Sequence, residues 1–112
     1  MLFHVTMTHS TENCPVYWPP EKQKRAISEM EKLPKLAKAM NIDLRFMVTG
    51  VGHKMYALVE ADSFDAMNSF FGATQFKQDC QVEPVGDFQA VVKAFKKDLS
   101  RRQQKPARAI TE

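Results

Sequence analysis

The opening stretch, Leu2 to His9, restricts the fold more than any other part of the chain. Apolar and polar side chains alternate along it, so Phe3, Val5 and Met7 point to one side of an extended strand and His4, Thr6 and Thr8 to the other. One face needs a hydrophobic layer against it. The other carries an imidazole and hydroxyls that chemistry can use.

The remaining chain supplies that layer. The segment His9 to Pro20 holds Pro15, Pro19 and Pro20 among Ser, Thr and Asn residues, and reads as a loop because prolines remove backbone donors while the short polar side chains compete for backbone hydrogen bonds. Pro19-Pro20 and Glu21 then open a helix over residues 20–40 with Ala26, Met30, Leu33, Ala37 and Met40 on one stripe. Pro34 is expected to kink this helix near Leu33 or to split it, and Asn41 can close it.

A second strand follows over residues 43–49, with Leu44, Phe46 and Val48 expected on the core face and Arg45, Met47 and Thr49 opposite. Gly50, Val51, Gly52 and His53 form a tight connection into a third strand, Lys54 to Ala61, which divides into Met55, Ala57, Val59 and the opposite set Tyr56, Leu58, Glu60. Pairing Thr49 with Lys54 would set Met47 against Tyr56 and Arg45 against Leu58. Asp62 or Ser63 caps a second helix carrying Phe64, Met67, Phe70 and Phe71 on one side, ending near Gly72. A short fourth strand near Gln81 to Val85 is marked as an edge by Pro84. Asp87 caps a last helix with Phe88, Val91, Val92, Phe95 and Leu99 at three-four spacing.

The order β-α-β-β-α-β with an added C-terminal helix is the ferredoxin-like split βαβ motif, an α+β fold with a four-stranded antiparallel sheet. We expect one domain over residues 1–99, with the first strand between the third and fourth, parallel to the third and antiparallel to the fourth. Two helices cover one sheet face. Closing the other face against a second copy gives a homodimeric α/β barrel.

Composition narrows the setting. Two cysteines are too few for a disulfide scaffold, and the chain shows neither a signal-like start nor a membrane-length apolar run, which reads as a cytoplasmic protein with thiols and no membrane partner. From Lys96 onward six basic residues meet two acidic ones, a net +4, so the remainder stands at −1 against the overall +3. The basic charge belongs to a frayed tail over residues 100–112, which argues against a dedicated nucleic-acid face and leaves weak contact with RNA or another acidic partner as the sharper alternative.

Two groups of residues carry candidate chemistry. On the polar barrel face His4 or Glu60 can act as a base next to a carbonyl, Arg45 can hold an anionic group, and Tyr56 can donate to a developing enolate. Thr6 and Thr8 would contact the substrate there, with Trp18 as a lid. The plainer reading is an Arg45–Glu60 cross-strand ion pair, a hydrogen-bonded interface histidine, and a Trp18 that packs the loop on the first helix. The second group is His9, Cys14 and Cys80, one imidazole and two thiols suited to a zinc or copper ion if the start of the fourth strand meets the end of the first. Against it stand an inert Cys80 and an ordinary loop cysteine. His53 is read as a solvated turn residue.

Met1-Leu2-Phe3-His4-Val5, together with Gly52-His53 before a strand and Glu60-Ala61-Asp62-Ser63 before a helix, resembles muconolactone isomerase and its relatives in the dimeric α/β-barrel superfamily. The resemblance implies a cofactor-independent isomerase or monooxygenase acting on a small organic molecule. It also admits a non-enzymatic, stress-related binding protein.

Overall fold

The computed structural model describes residues 1–74 and 77–104. Strand β1 (Leu2–Thr8) leads through two short 3-10 turns into helix α1 (Pro20–Ala39); β2 (Asp43–Thr49), β3 (Lys54–Glu60), α2 (Phe64–Gly72), β4 (Asp79–Val85) and α3 (Phe88–Gln103) follow. The four strands form one sheet in the order β2-β3-β1-β4, with every neighbouring pair antiparallel. This is the expected α+β ferredoxin-like arrangement with an added helix.

One expected strand direction is reversed. β1 runs antiparallel to β3, not parallel, with Val5 opposite Ala57 and Thr8 opposite Lys54. The α1 crossover returns the chain so that β2 runs alongside β1 in direction, and the tight β2–β3 hairpin then turns β3 against both. The end of β1 therefore meets the start of β3.

Between sheet and helices lies the core. Phe3, Val5, Met7, Ala57 and Val59 from the strands meet Ala37 from α1 and Met67, Phe70 and Phe71 from α2, all buried. Phe70 and Phe71 pack edge to face with centroids 5.0 Å apart, a favoured aromatic geometry. Phe64 shares their helix but is half exposed, standing edge to face with Phe3 at a centroid separation of 6.3 Å. The Ser63 hydroxyl accepts the Ala66 N–H at 3.1 Å and fixes where α2 begins. At the other end of the first crossover, Asn41 adopts φ of 57°, a left-handed turn that Asn tolerates, and the next amide, that of Ile42, donates to the carbonyl of Ala37 at 2.8 Å. Helix α1 is continuous through Pro34 and is not split.

The faces of β2 differ from the alternating reading. A bulge between Leu44 and Phe46 leaves Arg45 without a partner across the ladder, after which Phe46 opposes Leu58, Met47 opposes Ala57 and Val48 opposes Tyr56. Leu44 and Met47 consequently pack on the core, while Phe46 and Val48 lie on the open face, 42% and 49% exposed. The Thr49–Lys54 pairing is likewise displaced by one, to Thr49 opposite Met55.

Helix α3 starts at the Asp87 cap, whose carboxylate accepts the Gln89 N–H at 3.1 Å. It has no buried residue. Phe88, Phe95 and Leu99 on its apolar stripe are 72%, 71% and 57% exposed. The helix continues through residues 100–103 of the expected tail; residues 105–112 lie outside the described part.

Candidate functional site

A cavity of about 400 Å³ opens between α1, α2 and the helix-covered face of the sheet. Its walls are largely apolar: Met7 and Met55 from the sheet, Leu33 from α1, Met47 from the far side of the bulge, Phe70 and Phe71 from α2. The bulge is what brings Met47 to this wall. Polar groups are few, among them His9, Asn13 and Thr74.

The polar corner has a definite construction. Because β1 is antiparallel to β3, the residue after Thr8 meets the residue before Lys54, and the His9 N–H donates to the His53 carbonyl at 3.3 Å. The two imidazoles stand edge to face with centroids 5.1 Å apart, and Tyr17 flanks His53 at 6.2 Å. His53 has φ of 58°, a left-handed conformation more accessible to His than to most side chains, and it follows Gly52 at φ of 76°.

Cys14 enters from the loop after β1, where two consecutive 3-10 turns meet; its N–H donates to Thr11 at 3.2 Å and its carbonyl accepts from Tyr17 at 3.1 Å. The residue is 7% exposed. One donor atom each from His9, Cys14 and His53 lie within 4.8 Å of one another. Among the described residues the buried His9 Nε2 has no hydrogen-bond partner, a condition that costs about 1–3 kcal/mol in a folded protein. Asn13 and Pro15, on either side of Cys14, line the same cavity as His9.

The other sequence candidates lie elsewhere. Cys80 sits opposite Met7 on the edge strand, is exposed, and lies outside the His9–Cys14–His53 group. Although the residue is exposed, partial desolvation of its sulfur, reinforced by the charge of Asp79, raises the thiol above its ordinary value. His4, Thr6, Thr8, Tyr56 and Glu60 share the open face of the sheet, across the strands from the cavity. There Arg45 pairs with Glu60 and also reaches Asp43 at 3.5 Å, so the ion-pair alternative is the arrangement found. The hydrogen bond to Glu60 is the main reason the Arg45 guanidinium is held above its ordinary value. His4 and Tyr56 stand with ring centroids 6.1 Å apart. Trp18 packs the loop: its Nε1–H donates to the Glu12 carbonyl at 2.8 Å and Lys22 sits 4.1 Å from its ring centre, away from the apolar cavity.

The residue missed at the polar corner is His53. Its signal was available in the strand directions, since only an antiparallel β1–β3 pair brings His9 to the hairpin tip.

No protein-family model and no curated protein sequence matches the chain. Among solved structures, a crystal structure of muconolactone isomerase superposes with a TM-score of 0.58 at 21% identity, over 78% of this chain and 90% of that one. At that identity the likeness establishes the fold alone. Among the described residues no helix is long and apolar enough to cross a membrane.

Proposed function

We propose that the chain is a small-molecule enzyme of the isomerase kind, which holds a compact, largely apolar substrate in the cavity between α1, α2 and the sheet and moves a proton at its His9 corner without an organic cofactor. The observation that carries this reading is the cavity itself: about 400 Å³, apolar on most sides, with the His9 imidazole among the few polar side chains that line it. An apolar site with one base on its wall suits removal of a proton next to a carbonyl. Muconolactone isomerase, whose fold the chain shares, is named for an isomerisation of a lactone, and this supports the reaction class.

A homodimer completes the reading. Phe46 and Val48 on the open sheet face and the stripe of α3 leave apolar surface that a second copy would cover. A second site reading is favoured by the His4–Tyr56 pair on that open face, which such a dimer would enclose. A cofactor-independent monooxygenase acting on a small organic molecule is the other reaction this fold would accommodate.

The test is deuterium exchange. Small lactones and enolisable ketones are incubated with the protein in D2O and followed by NMR. Exchange at the carbon beside the carbonyl, lost in His9→Ala and retained in His4→Ala, is the expected result. Exchange lost in His4→Ala and Tyr56→Phe but retained in His9→Ala moves the site to the open face, and no exchange with any compound removes the proton-transfer reading.

A further inference from the structure

We infer that His9, Cys14 and His53 form a binding site for a single transition-metal ion, zinc(II) or copper(I), beside the apolar cavity that His9 lines. Three separate segments converge on it: the end of β1, the loop that follows, and the tip of the β2–β3 hairpin. Sequence spacing shows nothing of it, because the ligands are brought together by strand pairing.

The donor chemistry is specific. Two neutral imidazoles and a thiolate are the set that borderline and soft ions select, whereas magnesium and calcium prefer oxygen. The donor atoms lie within 4.8 Å of one another, and neighbouring ligands around a tetrahedral zinc stand roughly 3.3–3.8 Å apart, given metal–ligand lengths of about 2.0–2.3 Å. Small side-chain rotations close that difference. The backbone is already fixed by the His9–His53 hydrogen bond and by the paired turns that hold Cys14.

Burial supplies the independent argument. Among the described residues His9 Nε2 has no partner, where an unsatisfied buried nitrogen is costly, and Cys14 is buried beside it. A metal bound through that nitrogen would satisfy both at once. Three protein ligands leave a fourth position for water or a ligand, and His9 also lines the cavity, so the ion would act on whatever that cavity holds. If so, the proton at the His9 corner is moved by a metal-bound group in place of the bare imidazole. This deepens the proposed function by naming an ion for its site, but binding of the ion is measured without any substrate.

The experiment uses full-length protein without an affinity tag, stripped with a chelator and titrated with zinc(II) or, under reducing conditions, copper(I), each against a chromophoric competitor. Cobalt(II) serves as the optical probe. One equivalent of zinc or copper should bind, the cobalt form should show a thiolate-to-metal charge-transfer band, and zinc should slow alkylation of Cys14 in the unaltered chain. Cys14→Ser should remove the band, and Cys14→Ser and His53→Asn should each weaken binding about 100-fold or more. Asn is chosen at 53 because it accepts the left-handed backbone there. Cys80→Ser should change nothing. Absence of stoichiometric binding, unprotected Cys14, or binding unaffected by both ligand substitutions would overturn the site. Cavity occupancy, read by a fluorescent apolar probe, separates failure of the metal site from failure of the cavity reading.

Discussion

His9 and His53 meet edge to face, 5.1 Å between ring centres, with the backbone of one donating to the backbone of the other at 3.3 Å. This contact ties the end of the first strand to a hairpin tip more than forty residues away in sequence. The tip depends on a left-handed His53. His53→Val should therefore cost about 1–2 kcal/mol more than His53→Asn, because a β-branched side chain is strained at that φ and Asn is not. Urea denaturation of both variants with a chelator present measures the difference.

The cavity makes a separate prediction. Leu33→Trp fills the space between α1 and the sheet that Leu33 now lines. Binding of a fluorescent apolar probe should be lost while far-UV circular dichroism stays that of the unaltered protein. Retained probe binding would place the probe elsewhere.

Core and open face should respond differently to truncation. Phe70 is fully buried between α2 and the sheet, and Phe70→Ala should cost about 3–5 kcal/mol in equilibrium unfolding. Val48 is half exposed, and Val48→Ala should change the stability of the isolated chain by about 0.5 kcal/mol or less. Its effect should appear in self-association, measured by sedimentation.

Cys80 offers a pH-dependent readout. Its thiol is raised by burial first and by Asp79 second, so less thiolate is present at a given pH than for an ordinary cysteine. Alkylation of Cys80 should rise with pH along a curve displaced to higher pH. Asp79→Asn removes the negative neighbour and should move the midpoint back down, with burial keeping it above the ordinary value.

Much of this architecture was legible because short-range signals agreed. Ser63 and Asp87 cap the helices assigned to them, Asn41 closes α1, and the alternation of β1 and β3 sorts core from open face as read. The failures were of long range or of parity. Nothing local in Asp43 to Thr49 announces an extra residue, so strict alternation puts Phe46 and Val48 in the core and Met47 outside the wall it helps form. The candidate metal group was half legible. His9 and Cys14 were named, but with Cys80 as third ligand, since a β1 drawn parallel to β3 hides the approach of His53.

The bulge at Arg45 bears on how this chain aligns with distant relatives. Before it and after it, β2 obeys opposite rules about which positions tolerate a large apolar side chain. A relative lacking the extra residue would match this strand on only one side of position 45, whichever way an ungapped alignment is slid. A one-residue gap at that position would bring both halves into agreement, so a weak match here measures the placement of a gap as much as the distance between two proteins.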